Sequence, residues 1–376
     1  MGKDKLARNR KLTLNLNRHH TLSQSDTHFD AIVIGSGIGG LTTASLLAQL
    51  EKKRVLLLER HFKFGGFTQT FAREGKYEWD VGLHYVGEMG VGEAPRAVFD
   101  LVTNGKVDWA RLPNECDRLV FPDFTFDVSC GLANLEADLI AHFPDERSAI
   151  KRYYKDLNRC CRWLVKYAVT LSMPKLFLPI SRLVRSIGER LPLMTSGEYL
   201  DRHFQDEKLK GVLLSQWGWY GVPPLSSALV GHGLLVKHYS GGGYYPIGGA
   251  AVIADSVLPI IEEQGGRALA NHIVNEIIIE NGKAVGVKAT HKKGKERIER
   301  SFFADRVISN VGARATYTHL IPQDQELPFR DAVRDFPDGT ANVILYLGLN
   351  DNPVKHGFEG MNYWLYDAYD QDDVFA

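Results

Sequence analysis

The run Gly35-Ser36-Gly37-Ile38-Gly39-Gly40 restricts what this chain can fold into more than any other feature. It fits G-x-G-x-x-G, and its surroundings give it meaning. Asp30-Ala31-Ile32-Val33-Ile34, just before it, is a short apolar run closed by glycines, the pattern of a buried parallel strand. Leu41 to Leu50, just after it, reads as a helix with small residues on one side. Arg54-Val55-Leu56-Leu57-Leu58 follows as a second buried strand. Strand, helix and strand within about thirty residues make a βαβ unit, with a crossover expected to be right-handed.

In that setting each glycine has a task. Gly35 permits the tight turn, Gly37 leaves room for a pyrophosphate, and Gly40 lets helix and strand pack closely. The helix N-terminus offers free N–H groups and a partial positive charge to phosphates. Ser36 and Gly39 complete the cradle. Glu59 ends the second strand, 19 residues after Gly40, where a carboxylate accepts from ribose hydroxyls. It also argues against a phosphorylated ribose, since a carboxylate about 4 Å from a phosphate is repelled by roughly 4 kcal/mol at an effective dielectric near 20. The site therefore suits FAD or NAD rather than NADP, and Arg60 is available to neutralise a phosphate elsewhere on the dinucleotide.

The rest of the chain sets outer bounds. Its 376 residues suffice for roughly two domains. Lys+Arg and Asp+Glu number 45 each, a balance that does not point to nucleic acid. Cys116, Cys130, Cys160 and Cys161 show neither CxxC nor zinc spacing and read as free thiols of a reducing compartment, with no metal site. No stretch has the length and apolarity of a membrane span. Residues 1–28 are polar and basic, the composition of a disordered tail, with a transit peptide or an anionic-lipid tether as alternatives.

Further along, Thr195 and Glu198 have capping-box spacing, a helix is expected over 250–264 before Gly265-Gly266, and Asn281-Gly282 marks a hairpin. Ala304 to Ile308 reads as another strand. Residues near 100–230 are helix-rich. The expected organisation is an α/β, Rossmann-like domain from residues 29–100 and 231–320, interrupted by a helix-rich α+β domain from 101–230 and 321–376.

Gly65-Gly66, after Glu59-Arg60, adds a second glycine pair. Three further segments stand in order: Asp80-Val81-Gly82-Leu83-His84-Tyr85-Val86-Gly87, Tyr220-Gly221-Val222-Pro223-Pro224 with His232 and Leu234 to Tyr239, and Gly242-Gly243-Tyr244-Tyr245-Pro246-Ile247-Gly248-Gly249. With the first glycine run they resemble the FAD-binding amine oxidase and phytoene desaturase superfamily, and within it the retinol saturases and carotenoid isomerases. The similar segments cover most of residues 29–375.

The resemblance implies a glutathione reductase-like FAD-binding domain with an inserted substrate domain. It implies FAD as cofactor, with NAD(P)H a possible external reductant. It places Gly65-Gly66, His84 and the Tyr245 to Gly249 loop near the flavin, and the Val274 backbone at the adenine end. Beside this, His84 also reads as a strand cap or a core histidine, and the Tyr245-Pro246 loop as a plain turn. Composition and spacing show no acid–base dyad or nucleophile triad, which fits an enzyme whose cofactor carries the chemistry. The implied reaction is saturation, desaturation or isomerisation of a C=C bond in a lipophilic polyene, with Tyr245 and His84 as candidate catalytic residues. Alternatives are an amine oxidase-type flavoprotein and a degenerate, lipid-binding relative. In the family a last glycine-rich segment covers the flavin; it has no counterpart before Ala376, which implies a C-terminally truncated member.

Residues 160–194 mix apolar and aromatic side chains with Arg162, Lys166, Lys175, Arg182, Arg185 and Arg190, against one acid, Glu189. Such sequence suits a peripheral membrane surface; its alternative is a helical cap with the apolar face inward. The expected location is cytoplasmic or organellar, and the oligomeric state stays open.

Overall fold

The computed structural model describes residues 26–339, 341–358 and 360–375. The tail expected over 1–28 lies outside the described residues as far as residue 25, and the first strand, β1 (His28–Ile34), already includes His28. The chain divides into two compact units. Of the described residues, one unit gathers those up to Tyr85, Val91–Ala110 and Tyr245–Pro337; the other gathers Val86–Gly90, Arg111–Tyr244 and those from Asp338. The division thus passes between Tyr244 and Tyr245, where the sequence had suggested residue 231. The helix Leu229–Tyr239 accounts for the difference, since it packs along the helix Arg147–Leu171 within the second unit. Residues 321–337 stay with the first unit.

The first unit is a Rossmann-like α/β sandwich. After β1 come α1 (Ile38–Leu50), β2 (Val55–Leu58), α2 (Val252–Glu263), β3 (Arg267–Leu269), β4 (His272–Glu280), β5 (Lys283–Lys293) and β6 (Glu296–Ser309). They form a six-stranded sheet in the order β3-β2-β1-β6-β5-β4. The strands β3, β2, β1 and β6 run parallel, while β4, β5 and β6 form an antiparallel meander.

The apolar runs of β1 and β2 are continuous because both faces are covered. Val33, Val55 and Leu57 pack under α1 and α2 with Leu41, Ala44, Val257 and Ile261. Ile32, Ile34, Leu56 and Leu58 face the other way, into a core with Val274, Val287 and Phe302. The β4–β5 turn is Asn281-Gly282, with φ of 51° and 74°, the paired positive values a two-residue hairpin turn needs. The parallel strands β3, β2, β1 and β6 deliver their C-terminal ends to one edge of the sheet, where the glycine run lies.

The second unit is helix-rich. A three-stranded sheet, Glu115–Phe121 flanked by Asn362–Leu365 and Phe124–Ser129, carries Leu119, Phe121 and Phe126 into a core with Ile150, Tyr153, Leu157, Tyr199 and Phe204. A helix starts where the capping-box spacing suggests, with Thr195 as its N-cap and the Thr195 hydroxyl accepting from the Glu198 N–H at 3.2 Å. All four cysteines are free and buried. Among the described residues, no helix is long and apolar enough to cross a membrane.

Candidate functional site

The glycine run forms the turn between β1 and α1. Gly35 donates its N–H to the Leu58 carbonyl at 2.8 Å, fixing the turn against the end of β2. A Cβ on Gly40 would stand 2.0 Å from the Gly35 carbonyl oxygen, so helix and strand meet at a separation only glycine permits. Gly37 is the N-cap of α1 and no side chain caps it. The first-turn N–H groups are therefore left for a ligand.

Glu59, at the end of β2, is buried, and its carboxylate faces this turn. Its Oε2 accepts from the Ser36 N–H at 2.8 Å and from the Ser36 hydroxyl at 2.6 Å; its Oε1 accepts from the His61 N–H at 2.8 Å. A carboxylate offers about four acceptor positions, so three protein donors leave one on Oε1 for a sugar hydroxyl. The Ser36 hydroxyl also accepts from the Gly65 N–H at 3.1 Å. That bond draws the second glycine pair onto the first: a Cβ on Gly66 would meet the Gly37 Cα at 2.9 Å. Gly35, Ser36, Gly37, Gly39, Gly40, Glu59, Gly65 and Gly66 are thus one structure. Val274 joins its margin, since His272, two residues earlier on β4, donates its N–H to the Glu59 carbonyl at 2.8 Å. Arg60 projects into solvent.

Tyr245, Gly248 and Gly249 belong to a second cluster, centred on Asp80. The Tyr245 hydroxyl donates to Asp80 Oδ2, and the Ala250 N–H donates to Asp80 Oδ1 at 2.9 Å. Burial, and then the Asp80 carboxylate, push the Tyr245 hydroxyl far above the usual tyrosine range. The hydroxyl's one proton is committed to Asp80, so in this arrangement the side chain anchors the glycine-rich loop. The two clusters are connected through the Thr70–Asp80 hairpin, whose flanks Gln69 and Val81 are hydrogen-bonded at 3.0 Å. His84 is exposed, with Nδ1 2.6 Å from the Tyr85 carbonyl.

Two groups escaped sequence reasoning. Asp255, in the first turn of α2, has a carboxyl pushed up to about 6 by burial. Asn310 follows β6 and lies beside the glycine run because β6 pairs with β1; no local pattern marks either residue.

The residues present fit a dinucleotide. The helix N-terminus is uncapped, the space beyond Gly37 meets nothing within 4 Å except the Asn310 amide, and the buried Gln69 Oε1 has no partner among the described residues.

Comparison with known proteins agrees with this geometry. The NAD(P)-binding Rossmann-like domain family matches residues 33–102. The all-trans-retinol 13,14-reductase of Danio rerio is 33% identical over 361 residues, 92% of this chain and 58% of that protein. The chloroplastic prolycopene isomerase of Daucus carota is 30% identical over 326 residues, 80% of this chain and 48% of that protein. The chain therefore spans about half to three-fifths of these relatives. Among solved structures, an oxidoreductase from Methanosarcina mazei superposes with a TM-score of 0.59 at 22% identity, covering 81% of this chain and 64% of that one, and shares the fold. In sequence the chain is thus similar to the all-trans-retinol 13,14-reductases and prolycopene isomerases, and its first unit has a Rossmann-like fold.

Proposed function

We propose that this chain holds FAD on the Gly35–Gly40 turn and takes part in redox or isomerising chemistry at a C=C bond of a lipophilic polyene, a retinoid or a carotenoid. The observation that carries the cofactor reading is the uncapped start of α1 beside a buried carboxylate with one acceptor position to spare. The substrate reading rests on the retinol reductase and prolycopene isomerase relatives. Bound FAD supplies a two-electron acceptor and donor. The protein's own residues hold its diphosphate at α1, hold its ribose at Glu59, and fix the Gly248-Gly249 loop through Asp80. NAD(P)H is the proposed external reductant where the reaction is a saturation.

A lipid-borne substrate gives the outward-facing apolar residues of the helix Leu178–Ser186 a use, and we include peripheral membrane contact in the proposal. The cofactor test is direct. The purified protein should show flavin absorption bands after reconstitution with FAD, and Gly37→Asp should abolish them by placing a carboxylate against the diphosphate. A folded parent protein that takes up no FAD would defeat the reading.

A further inference from the structure

We propose that Asn310 completes the diphosphate cradle from the side opposite Glu59, its side-chain amide donating a hydrogen bond to the diphosphate of the bound dinucleotide. The inference rests on the cofactor reading above and adds a residue to it.

The sheet order places β2 on one side of β1 and β6 on the other. Glu59 ends β2, and Asn310 directly follows β6. The Asn310 N–H donates to the Ile34 carbonyl at 2.8 Å, which fixes it beside Gly35. From there its side chain reaches over the first turn of α1. A Cβ on Gly37 or Gly40 would meet Asn310 Nδ2 at 3.4 and 3.2 Å, and one on Gly39 would meet Oδ1 at 2.6 Å. Three glycines of the cradle are thus faced by one amide.

That amide is exposed and has no hydrogen-bond partner among the described residues. It does not cap α1, whose N-cap is Gly37 without any side-chain bond. A primary amide carries two N–H donors. Here it extends the row of backbone donors that α1 presents to an anion, while Glu59 on the far flank is left to the sugar. A neutral donor also suits a site where a second carboxylate would repel the ligand.

The test uses the full chain as parent, Asn310→Ala and Asn310→Asp. FAD affinity is read by fluorescence titration and ADP affinity by calorimetry, ADP being a diphosphate without the flavin. Asn310→Ala should weaken both severalfold. Asn310→Asp should weaken both at least tenfold, by a factor that shrinks as salt is raised, because the added charge is solvent-accessible. The melting temperatures of the ligand-free variants should match the parent, since an exposed side chain without a partner is being changed. Variants that bind ADP within twofold of the parent, or that melt lower without ligand, overturn the inference alone. A parent that binds neither ligand overturns the cradle reading and this inference with it.

Discussion

One hydroxyl ties three parts of the cradle together. Ser36 is fully buried; its Oγ donates to Glu59 and accepts from the Gly65 N–H, joining the first turn, the acid and the second glycine pair. Its part in holding a ligand is therefore indirect, through the shape of the turn. A comparable commitment governs Tyr245, whose proton goes to Asp80. In the second unit, His232 is buried with Nε2 2.6 Å from the Tyr153 hydroxyl, and its Nδ1 has no partner among the described residues. Burial lowers its pKa to about 4. The unfolded chain takes up this proton below about pH 6.5, the folded chain only near 4. The stability this group allows is thus present above pH 6.5 and is lost as pH falls through that window, by roughly 3 kcal/mol in all. Urea unfolding of the parent and His232→Gln between pH 8 and pH 4 should show the shallower loss in the variant; parallel curves would contradict the assignment.

At the scale of elements, the helix Leu178–Ser186 is turned inside out. Its sheltered side carries Ser181, 1% exposed, whereas Ile180 and Leu183 are 56% and 63% exposed, with Leu176 before it at 85% and Ile187 after it at 66%. The preceding helix adds exposed Val165 and Val169 near its end. Arg185 donates to the Ser181 carbonyl within its own helix, while Arg182 is left to solvent. Burying each apolar side chain in lipid is worth about 1.5–3 kcal/mol, more than a single surface cation contributes, at about 1 kcal/mol. Leu176→Glu with Leu183→Glu should therefore lower recovery with anionic vesicles in flotation far more than Arg182→Ala. Equal recovery of all three would remove membrane contact from the proposal.

The same scale shows what the sequence could say. The glycine turn, the Thr195 N-cap and the Asn281-Gly282 hairpin were legible because each is written in a few adjacent residues. Residues 160–194 showed their composition, but which side of the helix faced outward depended on Trp163, whose indole N–H bonds the Arg185 carbonyl at 3.0 Å. The place of Asn310 was not legible, since it depends on pairing between β1 and a strand about 270 residues away. The parallel pairing of Asn362–Leu365 with Glu115–Phe121 is hidden for the same reason.

For the whole molecule, that pairing means the cradle is not a local object. β1 lies between β2 and β6, and His28 pairs with Phe303. A fragment ending at Ala110 keeps the entire G-x-G-x-x-G turn and the residues matched by the Rossmann-like family, but loses α2, β3 and the meander. Without them Val33, Val55 and Leu57 lose one covering helix and Ile32, Ile34, Leu56 and Leu58 lose the opposite layer. Such a fragment should show no cooperative unfolding and no FAD uptake. A cooperative transition in the fragment would show that the βαβ unit is self-sufficient.

The register of β6 on β1 also bears on how the gene can drift. Side chains alternate along a strand, so a one-residue slip turns each to the other face. A codon gained or lost inside β6 would put Ser309 or Val311 where the amide of Asn310 now faces the glycines. The same change at the Asn281-Gly282 bend or at Gly294, between β5 and β6, leaves that register alone. Length variation among descendants of this gene should therefore collect at those two bends and spare the last stretch of β6.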